Sequence, residues 1–320
     1  MHKYIKFILL IFFAASYGSG LMSAQNTSAR AKEKVLGYNR DNKFVNFAYI
    51  TDIHINGKND EVYCAKPNLQ HFVAMCNEGF CDFAVFGGDA HSAYGTTRDE
   101  AFGYISEVSE YFNSISIPLY TTKGNHDRNA KITQEETISN VEYHMLYHNH
   151  LDTNVVRFNP NDPYGNYFYA DYPMEKVRII NLNYYDSEYM QEPGIHDKQL
   201  MWLDEIALDF SNYENPSDWT VVLFAHYYKH CGERFWKTIR EKREKTGFKV
   251  AGLIYGDSHF DQYSFEHGMN LVGVMCGYCT PEQVGTPSED SFSIFTVDTL
   301  NECLIETKVG RGEDRRFHFH

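Results

Sequence analysis

The amino-acid sequence predicts an α/β protein built on a parallel sheet, and three observations carry that prediction. Between residues 44 and 122, short apolar β-branched runs alternate with amphipathic stretches of helical period in the order strand, helix, strand, helix, strand. Five of the strand-like runs along the chain end in glycine turns or polar groups rich in Asp, His and Asn. Open α/β sheets bind ligands at the carboxyl ends of their strands, so this chemistry falls at the functional edge. Beyond residue 260, four short strand-like segments (260–265, 270–275, 291–297 and 302–309) form a second, β-rich half.

Taken in order, Phe44 to Thr51 reads as a buried strand running into Asp52-Ile53-His54. Alternation along an extended chain places Asp52 and His54 on one side, where a carboxylate and an imidazole can share a metal ion. Pro67 to Gly79 reads as a helix, with Pro in the first turn, Leu69, Phe72, Val73 and Cys76 on one face and Gly79 as the stop. Asp82 to Phe86 is the next strand and ends in Gly87-Gly88-Asp89. A helix from about Thr97 to Asn113 and a strand from Ile117 to Thr122 lead to Lys123-Gly124-Asn125-His126-Asp127, with Gly124 permitting a sharp turn.

Thr137 to His150 is expected as a helix, with His144 and His148 facing solvent. Tyr167 to Tyr172 and Val177 to Asn183 read as a hairpin, because no helical crossover separates them. Asp197 to Phe210 is amphipathic, with Asp197 as its expected cap. The strand Trp219 to Ala225 presents His226 at its end. After a helix from Glu233 to Lys245, the strand Lys249 to Tyr255 ends in Gly256-Asp257-Ser258-His259.

The N-terminus has a signal-peptide layout: Lys3 and Lys6, an apolar run from Phe7 to Ala15, then small and polar residues. Residues 1–25 are therefore expected to direct export, to the periplasm or the exterior, and no later segment is apolar enough to span a bilayer. Residues 26–42 read as a polar linker and 43–317 as the folded domain. A net charge of −14 with no basic patch argues against binding a nucleic-acid backbone. The seven cysteines suit an oxidising compartment, and Cys276-Gly-Tyr-Cys279 follows a strand rather than opening a helix. A local disulfide or buried thiols are expected there, not redox catalysis.

Asp52, His54, Asp89, Asn125, His226, Asp257 and His259 form an N- and O-donor set without thiolate. Two divalent ions need about this many protein groups, with one carboxylate shared. With these residues in view, the chain resembles the calcineurin-like metallophosphoesterase superfamily. The likeness rests on D-I-H (52–54), G-G-D (87–89), G-N-H-D (124–127), His226 and G-D-S-H (256–259), and spans about residues 43–317.

The resemblance implies a four-layer α-β-β-α sandwich of two mixed sheets, with a dinuclear site at the sheet edge. It implies one ion held by Asp52, His54, Asp89 and His259, and a second sharing Asp89 and adding Asn125, His226 and position 257. His126 matches the family's non-ligand histidine, with Asp127 expected to fix its tautomer. The implied activity is hydrolysis of phosphate mono- or diesters by a metal-bridging hydroxide. Asp257 departs from the family's usual G-H-x-H. A carboxylate there favours Mn, Fe or Mg over Zn and an upward-shifted pH optimum. The competing reading, supported by Asp257 alone, is a metal- or ligand-binding protein of the same fold without turnover.

Overall fold

The computed structural model describes residues 27–38, 44–55, 64–92, 96–129, 134–189 and 192–319, so the expected signal peptide lies outside the described residues. Two sheets organise the chain. The first has six strands in the order β13-β12-β11-β1-β2-β3: β1 (Phe44–Ile50), β2 (Phe83–Phe86), β3 (Leu119–Thr121), β11 (Ser291–Asp298), β12 (Cys303–Gly310) and β13 (Arg315–His318). Strands β1, β2 and β3 run parallel, as the alternating pattern predicts, and β11 closes antiparallel on β1.

The second sheet has seven strands in the order β4-β5-β6-β7-β8-β10-β9: β4 (Val156–Phe158), β5 (Phe168–Tyr172), β6 (Val177–Asn181), β7 (Thr220–Phe224), β8 (Lys249–Tyr255), β9 (Gln262–Glu266) and β10 (Met269–Gly273). β5 and β6 form the expected hairpin, whereas β6, β7 and β8 are parallel.

β2, β7 and β8 are buried along nearly their whole length, which explains why these strands are continuous apolar runs rather than half-polar ones. Between the sheets lies a shared core of Phe47, Phe83, Phe224 and Phe295 with flanking valines and isoleucines. Phe47 stacks on Phe83 at 4.9 Å and meets Phe224 edge-on at 5.2 Å. Helices α2 (Lys66–Cys76), α3 (Arg98–Phe112) and α4 (Asn140–Tyr147) cover the first sheet. Helices α5 (Asp197–Trp202) and α6 (Gly232–Thr246) cover the second. The result is the expected four-layer sandwich of two mixed sheets.

Four local expectations are corrected. Residues 27–38, expected within a polar linker, form a helix, α1. Its polar composition conceals Ala31 and Val35, which lie one turn apart and are buried in the core under the first sheet. α4 is shorter than expected because Ser139 and Glu142 close a capping box at its start. His144 on that helix is buried against Phe158 and Tyr164 rather than facing water. α5 starts with His196 at its cap and Asp197 in its first turn, then widens into a π-helical turn over Leu203–Ala207. No helix among the described residues is long and apolar enough to cross a membrane.

α2 is tied to the loop before β11 by His71, whose Nδ1 lies 2.7 Å from Asp290. The hydrogen bond to Asp290 raises the His71 pKa above its ordinary value. A raised folded-state value adds stability that is full below the unfolded pKa and is lost as pH rises through the folded one. His71→Gln is therefore expected to lower the thermal midpoint more at pH 5.5 than at pH 9, and equal losses at both would refute the pairing.

Candidate metal centre

Every predicted ligand follows a strand, and the backbone that delivers them is unusual. Asp52, His54, Asp89, Asp257 and His259 all adopt φ between 54° and 62°. Non-glycine residues rarely take this left-handed conformation, and Asp and His are among those that tolerate it. Asp52 and His54 thus converge through left-handed turns after β1, not through the extended alternation expected from sequence. Their amides donate to Gly88 and Asp89 carbonyls at 2.9 and 3.1 Å, locking the β1 end against the β2 end. Gly124 has a different cause again: a Cβ there would fall on the Asp89 carboxylate and amide, so glycine is required by close approach.

The buried floor of the site is Asp52, Asp89 and His226. His226 Nε2 lies 3.3 Å from Asp89 Oδ2, 3.7 Å from Asp257 Oδ1 and 3.9 Å from Asp52 Oδ1. His259 Nε2 is 3.4 Å from Asp52 Oδ1 and 3.0 Å from His54 Nε2. His54 Nε2 is in turn 3.6 Å from Asp52 and 3.8 Å from Asp89. Asp89 Oδ2 therefore stands between His54 and His226, the place of a shared carboxylate, while its Oδ1 accepts the His126 amide at 2.9 Å.

Each of the three imidazoles is held from behind. Nδ1 of His226 meets the Gly87 carbonyl at 2.6 Å, Nδ1 of His54 the His91 carbonyl at 3.3 Å, and Nδ1 of His259 the Tyr278 hydroxyl at 3.2 Å. A proton on Nδ1 leaves the Nε2 lone pair facing the cluster, the outer-shell pattern of metal-binding histidines. Asp52/His54/His259 and Asp52/Asp89/His226 each bring three ligand atoms within 4.8 Å of one another. Ligands about 2.0–2.2 Å from one ion lie about 3–4 Å apart, so the donor set fits two cations.

Electrostatics point the same way. Burial alone would raise Asp52, but hydrogen bonds from His259 and His54 and the charge of His226 outweigh it and hold the carboxyl well below the usual range. Burial is the main cause of the raised Asp89 pKa, resisted by His226. His226 is raised well above its ordinary value because Asp89 and Asp52 outweigh its burial.

Of the remaining predicted residues, Asn125 is half-buried on the loop after β3. His126 Nε2 is 3.8 Å from Asp89 Oδ2, and its ring meets His54 edge-on at 4.7 Å. Burial, then the neighbouring His54, His91 and His226, push its pKa down to about 2, so the ring is neutral. Asp127 does not serve the role expected of it. Its carboxylate accepts the amides of Asp89 and Ala90 at 2.8 Å and of Gly124 at 2.9 Å, bracing two strand ends instead of the His126 ring. Three backbone donors consume it because the chain turns sharply there.

Sequence reasoning missed Tyr278 as the anchor of His259, since it lies inside the Cys276–Cys279 motif. It missed His91, whose Nε2 meets the His126 carbonyl at 2.7 Å. Tyr185 donates to Asp257 Oδ1 at 3.1 Å, and no spacing signal marks that contact.

A model of the calcineurin-like phosphoesterase family matches residues 45–261, a span holding all nine predicted site residues. A crystal structure of a dimetal phosphatase from Danio rerio is similar at 15% identity and TM-score 0.63, covering 86% of this chain and 99% of that one. That likeness supports the two-sheet fold and nothing finer. A cold-active protein-tyrosine phosphatase of a psychrophilic Shewanella species is similar at 12% identity and TM-score 0.34, covering 85% and 80%. Comparison with curated proteins by sequence yields no match.

Proposed function

This chain belongs to the calcineurin-like phosphoesterase family, and from that premise we propose that it hydrolyses phosphate mono- or diesters at a dinuclear metal site. One observation carries the reading: three imidazoles, each anchored at Nδ1, present Nε2 to the buried carboxylates of Asp52 and Asp89. One ion would be held by Asp52, His54, His259 and Asp89, and the second by Asp89, His226, Asp257 and Asn125. When bound, such ions polarise phosphoryl oxygens and lower the pKa of water toward neutrality, which is the chemistry that ester hydrolysis requires.

The protein's own groups do the rest. Asp257 and His259 are the partly exposed members, with side chains 24% and 34% accessible, so the substrate enters over them and over His126. His126, being neutral, serves as a hydrogen-bond donor to a phosphoryl or leaving oxygen rather than as a fixed cation. Asp127 keeps that loop in register with the β2 end. Asp257 Oδ1 lies 3.7 Å from His226 Nε2, which supports reading it as a ligand of the second ion.

Hydrolysis of p-nitrophenyl phosphate and of its bis-ester with added Mn²⁺ tests the proposal. Turnover of either supports it, and no turnover of either by metal-loaded protein overturns it. Tyr185→Phe is expected to weaken the second ion about tenfold, because it removes the hydroxyl that orients Asp257. A Mn²⁺ titration of activity unchanged from the parent would refute that role. Export rests on the N-terminal layout alone and is proposed on that basis.

A further inference from the structure

The turn carrying Tyr278 is joined to the segment before α2 by an antiparallel backbone pair between Cys64 and Cys279. The Cys64 amide donates to the Cys279 carbonyl at 2.8 Å, and the Cys279 amide returns the bond to Cys64 at 3.2 Å. Residues that exchange both backbone bonds in this way have Cα atoms about 5.5 Å apart. Disulfides bridge Cα separations of about 4.4–6.8 Å. Cys279 Sγ already lies 2.9 Å from the Cys64 carbonyl oxygen, on the Cys64 side of the pair. In the structure both are thiols, Cys64 half-buried and Cys279 buried.

We propose that Cys64 and Cys279 form a disulfide in the oxidised protein, and that this bond clamps the Tyr278 turn against His259. The pairing does not depend on the phosphoesterase reading. Tyr278, next in sequence to Cys279, meets His259 Nδ1 with its hydroxyl at 3.2 Å and packs its ring 5.7 Å from His54. The clamp thus acts one residue from a group that orients a candidate ligand.

The reaction is thiol–disulfide exchange with a small disulfide such as oxidised glutathione. The more accessible Cys64, as thiolate, attacks one sulfur of that disulfide and expels one glutathione thiolate. Cys279 then loses its proton and attacks the Cys64 sulfur, forming the protein bond and expelling the second thiolate. Two protein thiols are oxidised and one glutathione disulfide is reduced to two thiols. Burial and the neighbouring Cys64 push the Cys279 thiol up to about 12, which slows its attack, so the proximity of the paired backbones carries the second, intramolecular step. Cys276 is turned elsewhere, its sulfur toward the Tyr278 carbonyl at 4.0 Å.

The test uses the full chain incubated with oxidised glutathione, blocked with N-ethylmaleimide, digested and mapped by mass spectrometry without reductant. A peptide pair joining Cys64 to Cys279 is expected. The thermal midpoint of the oxidised chain should exceed that of the reduced chain by about 3 °C or more, since the bond closes a long loop. Cys64→Ser, a near-isosteric change, should remove both the peptide pair and the redox dependence. Cys64 and Cys279 both recovered as alkylated thiols, or Cys279 joined to Cys276, would overturn the proposal.

Discussion

Replacing Asp89 by Asn is expected to lower kcat toward p-nitrophenyl phosphate about 1,000-fold or more, with the protein still folded. The carboxylate stands between His54 and His226, and its Oδ2 is the atom that both imidazoles approach. An amide keeps the acceptor for the His126 amide at Oδ1 but puts a neutral NH₂ group where the charge stood. Loss of a shared anionic ligand removes several kcal/mol of electrostatic stabilisation, and each 1.36 kcal/mol is about tenfold in rate. Folding is preserved because Asn tolerates the φ of 60° that this position demands. Metal content measured on the same sample should fall by at least one ion per chain. Near-normal kcat and unchanged metal content in folded Asp89→Asn protein would remove Asp89 from the site.

Removal of divalent ions by chelation is expected to abolish activity and to lower the thermal midpoint by about 10–20 °C relative to Mn²⁺-saturated protein. Two ions at about 100 times their Kd each contribute about 2.7 kcal/mol of stability, and a domain of this size shifts about 2–4 °C per kcal/mol. The physical origin is visible in the site. Two buried carboxylates, Asp52 and Asp89, and a third at Asp257 converge within reach of one imidazole, His226. Five ligand positions also hold a left-handed backbone, each at a cost of order 1 kcal/mol. Bound cations would offset both costs. Asp257→Gly relieves one positive φ, so it should raise the metal-free midpoint slightly while shrinking the metal-induced rise. Calorimetry with and without chelator reads both, and a midpoint indifferent to metal would refute a dinuclear site.

Most of the architecture is legible in the sequence. Apolar β-branched runs of four to eight residues, buried on both faces, announce strands whatever surrounds them, and their alternation with helices dictates a parallel sheet. α1 escaped notice because only Ala31 and Val35 of its inner face are apolar, too few for a periodic signal. The buried face of His144 escaped because Phe158 and Tyr164, which cover it, come from a later segment of the chain.

At the site, the sequence by itself determined which residue types stand at the strand ends, and so the family and the hard N/O character of the donor set. Residue identity and order along the chain carry that information. Only the tertiary structure decided how the side chains divide their work. Asp127 is spent on three backbone amides, Gly124 is dictated by the Asp89 carboxylate beside it, and Tyr185 and Tyr278 hold Asp257 and His259 from 19 to 72 residues away. Such contacts are set by left-handed turns and by loops meeting across two sheets, and no spacing rule along a single strand encodes them.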